Sequence, residues 1–174
     1  VGATSFARCR HALKDKGRLL AIAGGLPDML AALWTPMTGG KRVIAEFTLT
    51  REVARDLLRI DTAQLYHYRQ IGAVGALQSG SAYSGAHSAN GIAAMFIATG
   101  QDAANVAESH GGITYGQLLD NGDYYWSVTL PALICGTHGG GTGLPTQREC
   151  LEMLGCFGTG KADKLAEIIA GVVL

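Results

Sequence analysis

ITYGQLLDNGDYYWSVTL, residues 113–130, carries the strongest local structural signal in the chain. Its centre, Asp-Asn-Gly-Asp at residues 120–123, separates two runs that are rich in β-forming side chains, as is typical of a β-hairpin. Apolar and polar side chains alternate along residues 124–130, which indicates a strand with one buried face. We therefore predict a hairpin with a type I′ turn.

Further secondary structure is predicted on both sides of this hairpin. Residues 42–49 (RVIAEFTL) are rich in β-formers and predict a strand. Small and apolar residues at 87–99 predict a tightly packed helix that ends at Gly100. A capping box at residues 146–149 predicts the start of another helix, and recurring glycines in residues 71–85 predict a loop or a crowded backbone.

Composition excludes several classes of protein. The 174 residues carry 14 Lys and Arg against 14 Asp and Glu, and a net charge of zero argues against a basic nucleic-acid-binding domain. Hydrophobic residues make up 48% of the chain, which excludes disorder, yet no apolar run approaches the ~20 residues of a membrane span. The four cysteines match neither a Cys-x-x-Cys metal site nor a dense disulfide framework. We therefore expect a cytoplasmic protein and propose no metal ion.

A glycine-rich loop, GTHGGGTG at residues 136–143, lies between an apolar run and a predicted helix. Consecutive glycines leave backbone N–H groups unshielded, which is how proteins hold the anionic groups of nucleotides or CoA. The pattern matches neither the G-x-G-x-x-G fingerprint nor the P-loop. Its spacing leaves two interpretations open, a loop that contacts a ligand and a plain tight turn.

Three polar side chains are further candidates for a functional site. Asp102 follows the predicted end of a helix, where partial desolvation would favour acid–base chemistry; the alternative is an N-cap for the next helix. His87 and Asn90 are three residues apart, so both project from one face of a helix start. These two side chains could recognise a ligand, and the alternative is a role in capping and surface hydrogen bonding.

The chain resembles 3-hydroxy-3-methylglutaryl-CoA (HMG-CoA) reductase from residue 42 to residue 174. The matching motifs, in the family's order, are RVIAEFTLTREVARDLLR, AHSANGIAAMFIATGQDAANVAES, GDYYWSVTLP, GTHGGGTGLPTQRECLEMLG and GKADKLAEIIAGVVL. The resemblance implies an α+β fold and a homodimer. It also implies reduction of HMG-CoA to mevalonate and CoA, a step of isoprenoid biosynthesis, with NADPH or NADH as the hydride donor.

The resemblance also implies roles for individual residues. The catalytic aspartate of the family's G-Q-D segment falls on Asp102, and His87 and Asn90 match its substrate-facing Ala-His-x-Ala-Asn segment. The glycine motif that lies beside cofactor and substrate in the family corresponds to Gly139, Gly140, Gly141 and Thr142. His138 departs from that motif by replacing an apolar residue, and Gly85 stands where many members have Asn.

Two features suggest that the chain is incomplete and chimeric. The family's catalytic glutamate and lysine lie upstream of the matching region and its catalytic histidine lies downstream, so we expect little activity from this chain by itself. Residues 1–41 resemble instead the nucleotide-binding domain of medium-chain, zinc-independent alcohol dehydrogenases or quinone oxidoreductases, with LKDKGRLL at residues 13–20. This predicts a Rossmann-like remnant in residues 1–41 ahead of a reductase fragment in residues 42–174.

Two alternative functions remain open at this point. One is an NAD(P)-dependent medium-chain alcohol or quinone oxidoreductase, which rests on residues 1–41. The other is an inactive module that keeps only a CoA-binding and dimerising surface.

Overall fold

The computed structural model describes residues 41–174, so the dehydrogenase-like remnant predicted for residues 1–41 lies, except for its last residue, outside the described residues. Within them, a three-stranded antiparallel sheet has the strand order β1, β3, β2. The strands are β1 (Lys41–Leu49), β2 (Ile113–Leu118) and β3 (Tyr124–Leu133). A small antiparallel sheet combined with helices agrees with the α+β prediction.

The helices of residues 41–174 lie between β1 and β2 and after β3. In chain order they are α1 (Arg51–Val53), α2 (Thr62–Gln78), α3 (Ser88–Thr99), α4 (Val106–Ser109), α5 (Pro145–Met153) and α6 (Ala162–Val173). Shorter turns are a π-helical turn at Ala54–Leu58 and 3₁₀ turns at Ala103–Asn105 and Gly140–Gly143. None of the helices in this part of the chain is both long and apolar enough to cross a membrane.

The predicted hairpin is confirmed, but its predicted turn type is wrong. A type I′ turn requires positive φ at both central residues, and Gly122, at 84°, is the only residue of this turn with positive φ. The Gly122 N–H donates to the Leu119 carbonyl at 2.9 Å, and the Leu119 N–H donates to the Asp123 carbonyl at 2.8 Å. The connection is therefore a three-residue loop that ends in a left-handed glycine, a G1 bulge.

Two helical predictions also need correction. The glycines at 72 and 75 do not form a loop, because α2 continues through both of them. A Cβ at either position would meet nothing within 4 Å, so these glycines lie on open helix surface. Helix α5 begins at Pro145 and has no side-chain cap, so the predicted capping box is absent. Proline suits the first helical position because its missing N–H would have no helical partner there.

One hydrophobic core joins the sheet to α3, α5 and α6. Its buried members are Val43, Tyr83, Ile92, Phe96, Val128, Leu130, Leu133, Leu151, Cys156, Leu165, Ala166, Ile169, Ala170 and Val173. Side chains of α3 supply two of the largest fully buried groups, Ile92 and Phe96. Helix α3 is therefore held rigidly by apolar burial, and the turn that follows its last residue is held in place with it.

Tyr124, at the start of β3, belongs to a second cluster with Leu49, Ala54 and Trp126. Its side chain is 2% exposed, and its hydroxyl has no hydrogen-bond partner among the described residues. Burial raises the pKa of Tyr124 to about 12, and the nearby Arg69 opposes this only in part. An unfolded tyrosine ionises near pH 10, so the stabilising effect of keeping Tyr124 neutral is complete below pH 10. It is lost as the pH rises towards 12.

Replacement of Tyr124 by Phe tests whether the buried hydroxyl makes the stability of the fold depend on pH above 10. We expect Tyr124→Phe to be at least as stable as the wild type at neutral pH, because it removes a buried hydroxyl without a partner. Above about pH 10 its free energy of unfolding should fall less steeply than that of the wild type. Urea unfolding over this pH range measures both quantities. The exposed Tyr68→Phe is the control, and equal pH slopes for Tyr124→Phe and the wild type would contradict the expectation.

Candidate functional site

A cleft of about 530 Å³ lies between the C-terminal end of α3 and the glycine-rich loop. It brings together five of the predicted site residues: Asp102, Gly139, Gly140, Gly141 and Thr142. The loop follows β3 and the turn follows α3, so the cleft forms where two buried elements end. Clefts of this size are typical of small-molecule sites.

Two glycines bring the walls of this cleft into contact. Gly100 ends α3 in the left-handed conformation, with φ at 71°, and its N–H donates to the Phe96 carbonyl. A Cβ on Gly100 would lie 2.3 Å from the Gly141 carbonyl oxygen, and a Cβ on Gly141 would lie 2.7 Å from the Gly100 carbonyl oxygen. The two backbones therefore meet at a distance that leaves no room for a side chain on either residue.

The glycine-rich loop is held by Thr142 and open at its glycines. The buried Thr142 hydroxyl donates to the Gly139 carbonyl at 2.6 Å, and the Thr142 N–H donates to the same oxygen at 3.2 Å. Gly139 and Gly140 have φ values of 83° and 55°, and a Cβ on either would meet nothing within 4 Å. No hydrogen bond joins the N–H groups of Gly139, Gly140 and Gly141 to another of residues 41–174. These groups are available as donors to a bound molecule.

Asp102 is exposed at the edge of the cleft and has a defined orientation. One carboxylate oxygen accepts the Ala104 N–H at 2.9 Å, so Asp102 is the N-cap of the 3₁₀ turn Ala103–Asn105. The capping interpretation is therefore confirmed. It does not exclude a role in the cleft, because a carboxylate holds more hydrogen bonds than the one used by the cap.

His87 and Asn90 lie elsewhere on the same helix. His87 precedes α3 and makes no capping hydrogen bond through its side chain, and both residues are exposed. Helix α3 has 12 residues, and at 1.5 Å per residue it separates this pair from Asp102 by roughly 18 Å. The structure does not bring His87 and Asn90 into the cleft, and their contact with a substrate stays a prediction.

The structure does not place three His, Cys, Asp or Glu of residues 41–174 together as ligands for a metal ion.

A second cleft, of about 470 Å³, is lined by Arg51, Arg55, Arg59, Ile60 and Asp61. Arg59 has φ at 57° and is the only non-glycine residue with positive φ in the described part of the chain. Guanidinium groups bind carboxylates and phosphates with paired hydrogen bonds. None of these arginines was among the predicted site residues, although their four-residue spacing in the sequence is a signal for one helix face.

Comparison with known proteins identifies the family. Residues 12–174 match the family model described as hydroxymethylglutaryl-coenzyme A reductase. The chain belongs to the HMG-CoA reductase family.

Relatives named 3-hydroxy-3-methylglutaryl-coenzyme A reductase occur in archaea and in an animal. The chain is 43% identical to the protein of Pyrococcus horikoshii over 170 residues, which cover 90% of this chain and 40% of the relative. It is 49% identical to the protein of Aeropyrum pernix over 166 residues, 90% of this chain and 39% of the relative. It is 39% identical to the protein of Drosophila melanogaster over 145 residues, 78% of this chain and 16% of the relative. The chain thus spans well under half the length of these relatives.

The family match also bears on the predicted domain boundary. It begins at residue 12, which is upstream of the boundary predicted between residues 41 and 42. The HMG-CoA reductase resemblance is confirmed. A dehydrogenase-like segment in residues 1–41 is not supported by these comparisons and stays a prediction.

The contact between the two glycine backbones can be tested with a single methyl group. We expect Gly100→Ala to lower the free energy of unfolding by at least about 2 kcal/mol, because alanine meets both a positive φ and a carbonyl oxygen. Chemical denaturation measures the loss. Gly143→Ala is the matched control, since a Cβ there meets nothing within 4 Å and no positive φ is required. Equal stability of the two variants would contradict the close contact.

Proposed function

We propose that the chain acts in the NAD(P)H-dependent reduction of HMG-CoA to mevalonate and CoA. The observation that carries this proposal is the cleft that pairs Asp102 with the open glycine-rich loop, in a chain of the HMG-CoA reductase family. Reduction of a thioester to an alcohol takes two hydrides and releases a thiol. The site must therefore stabilise a developing oxyanion and supply one proton to the alkoxide and one to the departing CoA thiolate.

In this proposal Asp102 is the catalytic carboxylate. Its Oδ1 accepts the Ala104 N–H at 2.9 Å, which restrains the side chain at a position that lines the cleft. A carboxylate fixed in this way can orient the group that protonates the substrate oxygen. The resemblance supports the assignment, because the catalytic aspartate of the family's G-Q-D segment falls on Asp102.

The glycine-rich loop is proposed to contact the nicotinamide cofactor and the thioester. The N–H groups of Gly139, Gly140 and Gly141 have no hydrogen-bond partner among residues 41–174, and with the space beside the first two they suit an anionic or carbonyl group at close range. The residues present therefore fit such a ligand. The cofactor, when bound, supplies the hydride, and the loop holds the ligand by backbone donors that Thr142 keeps in position.

The arginine-lined cleft is proposed to hold phosphate groups of CoA. Three guanidinium groups and the Asp61 carboxylate line it, and the Arg55 guanidinium is paired with Asp56 at 2.8 Å, so the attraction for anions rests mainly on Arg51 and Arg59. His87 and Asn90, at the other end of α3, would then contact a part of the substrate that is remote from Asp102.

We further propose a homodimer and low activity for these 174 residues by themselves. Helix α2 exposes Tyr68, Ile71, Val74 and Leu77 by 54%, 57%, 55% and 74%, an apolar surface that a second copy could cover. The catalytic glutamate, lysine and histidine that the resemblance implies are not among the matching motifs. Loss of members of a cooperating catalytic set removes most of the rate.

Binding and turnover measured together test the reductase proposal. We expect the chain to bind HMG-CoA and NADPH in calorimetry, with slow or absent loss of NADPH absorbance. Asp102→Asn keeps the size of the side chain, so it should reduce any turnover by about 100-fold or more while changing the affinity for HMG-CoA much less. Absence of binding to both ligands would contradict the proposal. Reduction of aldehydes or quinones without CoA would favour the dehydrogenase alternative, and CoA binding without NADPH binding would favour the inactive module.

A charge-removing variant tests the arginine-lined cleft. We expect Arg59→Gln to weaken the binding of CoA by about three- to tenfold at low ionic strength, with a smaller loss at high salt. If the 3′-phosphate of CoA lies in this cleft, Arg59→Gln should weaken the binding of CoA without that phosphate less than it weakens the binding of intact CoA. Lys161→Gln, which removes an exposed cation at the start of α6, is the control. An equal loss of affinity in both variants would indicate a nonspecific charge effect and contradict the site.

A further inference from the structure

Gln101 joins the two walls of the cleft through its side-chain amide. Its Nε2 donates to the Gly136 carbonyl at 2.9 Å and to the Thr99 carbonyl at 3.1 Å. Its Oε1 accepts the Gly136 N–H at 2.7 Å. The side chain thus satisfies both backbone groups of Gly136 and one carbonyl at the end of α3, and it is partly buried.

These bonds link the residue next to Asp102 with the first residue of the glycine-rich loop. A single bond would leave the loop free to rotate about it, whereas the two bonds to Gly136 fix its direction as well as its distance. The contact between Gly100 and Gly141 holds the same loop further along the chain. The turn and the loop are therefore attached at two separate places.

We infer that Gln101 is a positioning residue, whose amide holds the turn that carries Asp102 in a fixed place relative to the glycine-rich loop. The carboxylate and the loop then meet a ligand as one unit. The choice of HMG-CoA as the ligand rests on the proposed function, but the positioning role of Gln101 does not.

Hydrogen bonding by Gln101 can be separated from simple space filling. Glutamate has nearly the same volume as glutamine, so a residue that only fills space would tolerate Gln101→Glu. An ionised glutamate has acceptors only, and it would face the Gly136 and Thr99 carbonyl oxygens without a donor. Gln117→Glu provides the matched control, because it makes the same chemical change at an exposed position of β2, outside the cleft.

The first measurement needs no ligand. Amide hydrogen exchange by NMR reports on the Ala104 N–H, which is bonded to the Asp102 carboxylate but not to Gln101. In Gln101→Glu we expect this amide to exchange about tenfold faster than in the wild type, relative to the Val128 amide in the central strand. Gln117→Glu should leave the exchange of the Ala104 amide unchanged. Faster exchange confined to Gly136, with Ala104 unaffected, would overturn the inference, because Gln101 would then act only on its direct partner.

The second measurement is the affinity for HMG-CoA by calorimetry. We expect Gln101→Glu to bind about tenfold more weakly than the wild type, which is about 1.4 kcal/mol, and Gln117→Glu to bind within twofold. Wild-type affinity in Gln101→Glu would overturn the inference. If the wild type does not bind HMG-CoA, the proposed function fails, and the Ala104 exchange still decides on Gln101. If Gln101→Glu does not fold, Gln101→Met replaces it, since Met fills the site without a charge and lacks all three bonds.

Discussion

The backbone contact between Gly100 and Gly141 is the constraint on which the cleft depends. Each residue leaves less than 3 Å between a hypothetical Cβ and the carbonyl oxygen of the other. A side chain at either position would push the loop away from the end of α3. The distance between Asp102 and the loop is therefore set by two backbones in direct contact, which is a more rigid spacer than two flexible side chains.

The contact between Gly100 and Gly141 can set the distance between Asp102 and the loop only because α3 is itself held in place. Ile92 and Phe96 are fully buried against the sheet and its neighbouring helices, and the Thr99 hydroxyl donates to the Met95 carbonyl at 2.6 Å in the last turn. The end of α3 is therefore as fixed as the core itself. Catalytic groups need placement to within a fraction of an ångström, and a turn that follows a buried helix directly provides it at low conformational cost.

Features that depend on neighbours in the sequence could be predicted here, whereas features that depend on residues far apart in the sequence could not. The cap at Asp102 involves neighbours in sequence, and it was predicted and is confirmed. The predicted alternation along β3 is confirmed for the face that buries Tyr124, Trp126, Val128 and Leu130, but Ser127 on the opposite face is buried too. The predicted turn type of the hairpin was wrong, and this turn has distant partners besides the local bond from the Asp123 N–H to Asn121 Oδ1. The Thr62 hydroxyl donates to the Gly122 carbonyl at 2.7 Å, and the Arg51 N–H donates to an Asp123 carboxylate oxygen at 3.1 Å. No local propensity encodes such contacts.

The same reasoning applies to the candidate site. Motif matching gave Asp102 and the loop as separate candidates, but their meeting depends on the contact between Gly100 and Gly141, residues far apart in the sequence. The arginine-lined cleft illustrates the opposite failure. Its regular spacing was visible in the sequence, yet charged residues on a regular spacing usually indicate only a solvated helix face.

The backbone at Arg59 distinguishes this cleft from an ordinary solvated helix face. The π-helical turn Ala54–Leu58 ends at Arg59 in the left-handed conformation, which costs an ordinary residue roughly 1–2 kcal/mol. The Ile60 N–H donates to the Ala54 carbonyl at 3.2 Å, and Asp61 caps α2 immediately afterwards, so bonds on the next two residues hold the strained one. Strain that the surrounding structure maintains, together with a π-helical turn, is typical of functional sites. Because Arg59 is also the C-cap of this turn, the fold alone accounts for its backbone, and the proposed anion site rests on the arginine side chains that line the cleft.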